Sequence, residues 1–349
     1  MSSETRFSCA DKVCQLKGKI LNLELDLTTP QRKVFPRVFV CAASHICYLY
    51  DLEEETLCKT YRGHNGPVTC CQVEKLTDQK RHLFTGSWDK TIKKWDIRTG
   101  ECVETLFGHS DYVRSLLLLQ DLGLLVSGSS NGELFVWDLN QTPTKCLHVL
   151  KGHTRGVECI VREPGSCVIW TCGGESSIRC WSISRESVQP IDDAFWGHQS
   201  NVYSLVFDTM NDGSVWTASA DSTVREWSLY PQLREETKLE HSEHCTDVLQ
   251  WPCSIVVTAC RDGSIHLWNG SGGECLRTLH GHSDKVTKLL KWKNLLLSGS
   301  LDTTIAIWDV PRILEGRSIV KPTDSNSQNA DDILTAEELA ELEELMSDE

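Results

Sequence analysis

A Gly-His pair recurs along the chain at Gly63-His64, Gly108-His109, Gly152-His153, Gly197-His198 and Gly281-His282, with Glu240-His241 filling the remaining gap. Successive histidines lie 45, 44, 45, 43 and 41 residues apart. A tryptophan follows each by 26 to 31 residues, at Trp95, Trp137, Trp181, Trp227, Trp268 and Trp308. Repetition at this period restricts a chain to a repeat architecture, in which each unit buries its apolar face against its neighbours. Four residues after each histidine stands Val68, Val113, Val157, Val202, Cys245 or Val286, the apolar start of a strand. Each unit then carries an alternating apolar run, a small-residue stretch with an acidic or amide residue, and a second alternating run. TGSWDKTIKKWD and SGSLDTTIAIWD are the clearest examples. Apolarity of period two bounded by Gly, Ser and Asp turns predicts short antiparallel strands joined by tight hairpins. Three strands follow each Gly-His and a fourth precedes the next, so the expected unit is a four-stranded propeller blade.

At these residues the chain resembles the WD-repeat family of β-propellers. The Gly-His and Trp-Asp ends are explicit at His64/Trp95-Asp96, His109/Trp137-Asp138 and His282/Trp308-Asp309; elsewhere the Asp drifts to Ser182, Ser228 and Asn269. The resemblance implies an internal hydrogen-bonded tetrad of His, strand Ser/Thr, turn Asp and Trp. It maps onto His64/Thr85/Asp89/Trp95, His198/Thr217/Asp221/Trp227, His241/Thr258/Asp262/Trp268 and His282/Ser298/Asp302/Trp308. A buried indole N–H and imidazole need fixed partners, and a hairpin carboxylate supplies the anchor. Asn131 and Glu175 stand in the Asp position of two units, whose blades are expected to be softer.

Six units leave the N-terminal region to place. GKILNLELDL at 18–27, residues 36–42, ICYLYD at 46–51 and ETLCKTY at 55–61 read as four more strands, with Tyr50-Asp51 in the Trp-Asp position of a degenerate first blade. The expected fold is therefore all-β: one seven-bladed propeller of four-stranded antiparallel blades over residues 16–320. Its last outer strand is expected from RSIVKP or from an N-terminal strand near Arg6–Ala10, within an N-terminal segment 1–15.

The vocabulary of His, Asp and Ser/Thr is also that of a catalytic triad, but a catalytic group is needed once and a structural one in every blade. No phosphate-binding Gly-rich loop, HExxH or GxSxG elbow is present. A non-enzymatic chain without cofactor or metal is expected. The 17 cysteines include Cys58, Cys102, Cys146 and Cys275, in register ahead of Gly-His pairs and expected as small core residues. Cys9 with Cys14, and His241 with His244 and Cys245, are the nearest approaches to metal clusters, and neither has a second Cys/His pair at zinc-finger spacing. With 49 acidic residues against 35 Lys plus Arg, direct nucleic-acid binding is not expected. No apolar run is long enough to span a bilayer, and the first 25 residues lack a signal-peptide core, so an intracellular protein of the cytoplasm or nucleus is expected.

A rigid disc with many loops is suited to binding other proteins. The positions exposed on the face shared by the Gly-His loops and Asp hairpins are Trp88, Tyr112, Arg114, Glu158, Asn201, Tyr203, Arg261 and Lys285, with Arg155 a further candidate. Trp88, Tyr112, Arg114, Tyr203 and Arg261 are the residue types of binding hot spots and form the expected partner-binding patch. The expected function is a scaffold or adaptor, monomeric within a larger complex. WDIR at 95–98 is similar to the box by which substrate receptors engage cullin-4 ubiquitin ligases, which would give Arg98 an adaptor contact.

Residues 321–332 read as a flexible linker and 333–349 as an acidic amphipathic helix, capped by Thr335 and Glu338 and striped by Leu339, Leu342, Leu345 and Met346. This helix is expected to dock on another protein or on the disc. Residues 322–349 hold ten acidic residues and no Lys or Arg, which leaves −4 of the −14 net charge to residues 1–321.

Overall fold

The computed structural model describes residues 10–26, 34–74, 81–191, 195–208, 213–229 and 234–315. The acidic tail and its leucine stripe lie outside these residues. Seven antiparallel sheets follow one another along the chain, six of them built by consecutive strands. Blade 1 runs Ile20–Leu25, Arg37–Ala42, Ile46–Asp51 and Thr56–Arg62, in the degenerate region where Tyr50-Asp51 replaces Trp-Asp. Blade 4 is irregular: Glu175–Ile183 pairs with both Val188–Pro190 and Phe195–Trp196 as its outer partners.

Strand alternation decides where the core sits. The second strand of a blade is covered on both faces, so Leu124–Ser129 and Ser214–Ser219 are buried at every position. The outermost strands bury only alternate residues or fewer, as in Lys145–Lys151. Apolar side chains collect in seven clusters, each spanning one seam between adjacent blades. Phe39, Cys41, Tyr61, Val68, Leu83 and Trp95 fill the seam of blades 1 and 2, and the cluster around Ile20, Leu23, Leu297 and Ile305 fills that of blades 7 and 1.

The ring is closed by the other end of the chain. Lys12–Gln15 pairs antiparallel with Thr304–Asp309, with Lys12 opposite Ile307 and Gln15 opposite Thr304. Asp11 reinforces the clasp. Its carboxylate accepts from Asp309 N at 2.6 Å and from Arg312 Nη1 at 3.2 Å, while its own N–H donates to Ile307 O at 2.8 Å. Cys14 packs into the seam of blades 7 and 1, and Ala10 into that of blades 6 and 7. The closing strand thus lies just beyond the Arg6–Ala10 stretch; RSIVKP lies outside the described residues.

The expected burial of Cys58, Cys102, Cys146 and Cys275 is not met: all four are exposed. They occupy the outermost strands, where Cys102, Cys146 and Cys275 each stand opposite the blade tryptophan across the ladder. Recurrence in register therefore reports a shared position on the rim rather than a place in the core. Sixteen described cysteines are free thiols.

Removing residues 1–16 should strip the seventh blade of its outer strand and two seams of a buried residue. The expected cost is several kcal/mol, or a melting temperature lower by roughly 5 °C or more, with concentration-dependent association through the bared edge. Calorimetry with light scattering checks this; an unchanged melting temperature would show that another segment completes the blade.

Candidate interaction face at the channel mouth

The histidines and tryptophans are absorbed by the scaffold. In blade 2, His64 Nδ1 lies 2.7 Å from Asp89 Oδ2 and Nε2 lies 2.8 Å from Thr85 Oγ1, which also accepts from Trp95 Nε1 at 2.8 Å. Blade 5 repeats the pattern with His198–Asp221 at 2.9 Å, His198–Thr217 at 2.7 Å and Trp227–Thr217 at 2.8 Å. Blade 7 does so with His282–Asp302 at 2.9 Å, His282–Ser298 at 2.7 Å and Trp308–Ser298 at 2.9 Å. Burial alone would raise the Asp89, Asp221 and Asp302 carboxyls, but hydrogen bonds from the imidazoles and nearby hydroxyl and backbone donors hold all three well below the usual carboxylate range. The glycine before the histidine follows from the tryptophan. A Cβ on Gly197 would lie 2.0 Å from the Trp227 ring, and one on Gly281 would lie 2.9 Å from Trp308.

Three blades differ from expectation or from one another. Glu175 does the work of the missing Asp, reaching His153 Nδ1 at 2.6 Å and accepting from Thr154 N at 3.1 Å, so blade 4 has a full set of bonds despite the substitution. Asn131 does not reach His109; it bonds Ser129, Ser110 and Glu133, and His109 Nδ1 is buried without a partner. The tetrad expected in blade 6 is also incomplete. Asp262 accepts from Ser264 N at 2.9 Å and Ser264 Oγ at 2.6 Å, as Asp89 does from Thr91, but it does not reach the imidazole, so the His241 ring is bonded only through Nε2 to Thr258 Oγ1 at 2.8 Å. Burial pulls both imidazoles down, His109 to about 4 and, with His266 adding to the effect, His241 to about 4.

The loop-face residues are distributed differently. Trp88, Arg114, Glu158, Tyr203 and Lys285 converge on the mouth of the central channel, where all seven blades enclose about 210 Å³. Trp88 and Tyr112 stack at 5.1 Å between ring centroids, 17° from parallel. Beside them Arg114 spans two blades, donating to Ser130 Oγ at 2.8 Å and to Glu158 Oε1 at 2.5 Å. Lys285 Nζ sits 5.1 Å over the Tyr203 ring, a cation–π pair. Arg155, Asn201 and Arg261 are not in this lining; Arg155 is exposed and Asn201 is buried in its loop. Arg98 is exposed in the turn after Ile92–Asp96, at the opposite end of the blade from the Asp89 hairpin. The channel also holds a pair that pattern reading passes over. Lys288 Nζ lies 3.0 Å from Asp247 Oδ2, and Asp247, 2% exposed, also accepts from Ser204 Oγ and Leu289 N. Burial alone would lower Lys288, but Asp247 raises it above its ordinary value. The available signal was opposite charges at one repeat position, where other blades place Cys70, Ser115, Cys159 and Ser204.

The family model for the WD domain, G-beta repeat, matches residues 55–96, 100–138, 144–182 and 273–309. An uncharacterized WD repeat-containing protein of Schizosaccharomyces pombe is 55% identical over 95% of this chain and 90% of its own length. The chain belongs to the WD-repeat family. It is also similar to the nuclear distribution protein nudF of Aspergillus niger, at 26% identity over 89% of this chain and 72% of that one. A ribosome biogenesis protein WDR12 homolog of Anopheles gambiae is 24% identical over 65% of this chain and 59% of that one. Each matched repeat begins on the outer strand of one blade and ends on the third strand of the next, so consecutive repeats staple neighbouring blades.

His109 yields a signed pH dependence. Its folded value is lowered from 6.5 to about 4, so the unfolded chain binds more protons between these values and stability falls as pH drops through that window. Between pH 7.5 and 5 this histidine should account for a loss of about 2 kcal/mol. Denaturation of wild type and His109→Asn at both pH values should show the loss reduced by that amount in the variant.

Proposed function

We propose that the chain is a non-enzymatic scaffold that holds partner proteins against the channel mouth. The observation that carries this reading is the Trp88–Tyr112 stack beside the Arg114–Glu158 pair. Neither aromatic ring belongs to a tetrad or to a seam cluster, and both are half-buried at the surface. Stacking two aromatic side chains and fixing the neighbouring arginine by an ion pair removes most of the entropy that a partner would otherwise have to quench. Such a patch holds Trp, Tyr and Arg, the residues that dominate binding hot spots. Membership of the WD-repeat family supports the same reading, since a rigid disc leaves loop chemistry free to vary. The repeated His, Asp and Thr/Ser sets support it as well, because their side chains are bonded to one another.

The test is affinity purification of the tagged chain with mass spectrometry, wild type beside Trp88→Ala/Tyr112→Ala/Arg114→Ala. The variant should lose co-purifying proteins by tenfold or more while its melting temperature drops by only a few degrees, since Glu158 is left without Arg114. An unchanged set of partners would overturn the reading.

A further inference from the structure

Blade 6 departs from its siblings at neighbouring positions, and the departures replace ordinary groups with soft metal-binding atoms. Cys245 stands where Val68, Val113, Val157, Val202 and Val286 start the other inner strands, and Cys260 stands where Ser87, Ser129, Ser219 and Ser300 end the second strands. The two face each other across the ladder. In blades 2 and 7 the serine hydroxyl ties the second strand to the loop after the histidine: Ser87 donates to Gly66 O and Ser300 to Asp284 O, each at 2.9 Å. Cys260 gives up that role. The third departure is His241, whose Nδ1 has no protein partner because Asp262, which holds Ser264 as Asp89 holds Thr91, does not reach it. His241, Cys245 and Cys260 bring one nitrogen and two sulfurs within 4.8 Å of one another. The cysteines are 0% and 1% exposed.

We propose that His241 Nδ1, Cys245 Sγ and Cys260 Sγ form a binding site for a soft d10 cation, zinc(II) or copper(I). Two thiolates and an imidazole are a donor set these ions select over magnesium or calcium. Bonds of about 2.3 Å to sulfur and 2.0 Å to nitrogen put donors roughly 3.5–4 Å apart, a small contraction from the present spacing. Loading releases two thiol protons to solvent as two metal–sulfur bonds form. His241 Nε2, 2.8 Å from Thr258 Oγ1, keeps its proton and fixes the tautomer that frees Nδ1, the outer hydrogen bond that metal-bound imidazoles require. Copper(I) is satisfied by the three donors; zinc takes water or the adjacent His266 as a fourth.

The experiment uses the full chain, reduced and loaded separately with zinc(II) and copper(I), desalted and assayed for metal per chain by mass spectrometry. Cobalt(II) serves as an optical probe of thiolate ligation. Cys245→Val/Cys260→Ser returns both positions to the residues of the other blades and should keep the fold; His241→Gln tests the nitrogen alone. Wild type should retain one equivalent of at least one ion, with thiolate-to-cobalt absorption and a raised melting temperature, and the double variant should lose all three effects. His241→Gln should weaken retention at least tenfold. Equal retention by the double variant would overturn the proposal and move binding to the buried thiols Cys41, Cys47 and Cys71, whose sulfurs also lie within 4.8 Å of one another. No retention by wild type, or a Cys245–Cys260 disulfide in protein purified without reductant, would overturn it too.

Discussion

One buried hydroxyl in each of blades 2 to 7 carries the architecture. Thr85, Ser127, Thr171, Thr217, Thr258 and Ser298 each accept from a tryptophan indole N–H and bond a histidine Nε2, tying the second strand to the third and to the entry loop. Where a carboxylate completes the chain, its direction is set. The indole donates to the hydroxyl, the hydroxyl bonds Nε2, and Nδ1–H donates to the carboxylate. In blades 2, 4, 5 and 7 the path ends on a carboxylate in the hairpin, so both ring nitrogens of the buried histidine are partnered. The same requirement puts glycine ahead of the histidine, since the indole occupies the space a Cβ would need. Glu240 breaks the rule in one of the two blades where the histidine lacks a carboxylate partner.

Seams and closure depend on that local order. A blade alone would expose both faces of its second strand, so stability resides in contacts between blades and the ring is only as sound as its last seam. Pairing Lys12–Gln15 with Thr304–Asp309 joins segments almost three hundred residues apart and turns an open stack into a cycle with no end blade to fray. Asp11 binds both the backbone of Asp309 and the Arg312 side chain, locking the closing strand in register.

What was legible in the sequence was whatever repeats. Six His-to-Trp units located their blades directly, and period-two apolarity recovered the degenerate first blade without them. What could not be read depends on which of several partners a side chain picks. Asp262 has the tetrad spacing but stops short of His241 Nδ1, and Glu175, one methylene longer, reaches the His153 nitrogen that Asp would have reached. Register was legible for Cys58, Cys102, Cys146 and Cys275, but the face was not, because an outer strand alternates like an inner one while its outward face meets water. The candidate interaction site was legible in part. Trp88, Arg114, Glu158, Tyr203 and Lys285 converge, whereas the Asp247–Lys288 pair joins two blades through charges that no single-repeat pattern links.

In a cyclic repeat, a residue recurring in every blade answers to the scaffold, and a residue that differs is free to answer to something else. Freedom alone proves nothing, since neutral drift also erases repeats, as Ser182 and Asn269 show in place of Asp. The discriminating sign is several departures that meet in space and share one chemistry. Trp88, Tyr112 and Arg114 lie on two blades and make a single aromatic and cationic surface at the mouth. Cys245, Cys260 and His241, whose Nδ1 has no partner, lie within one blade and make a single soft-donor cluster. Drift would scatter such changes over seven blades. Their coincidence at two points is what singles out these two groups of residues from the scaffold that holds them.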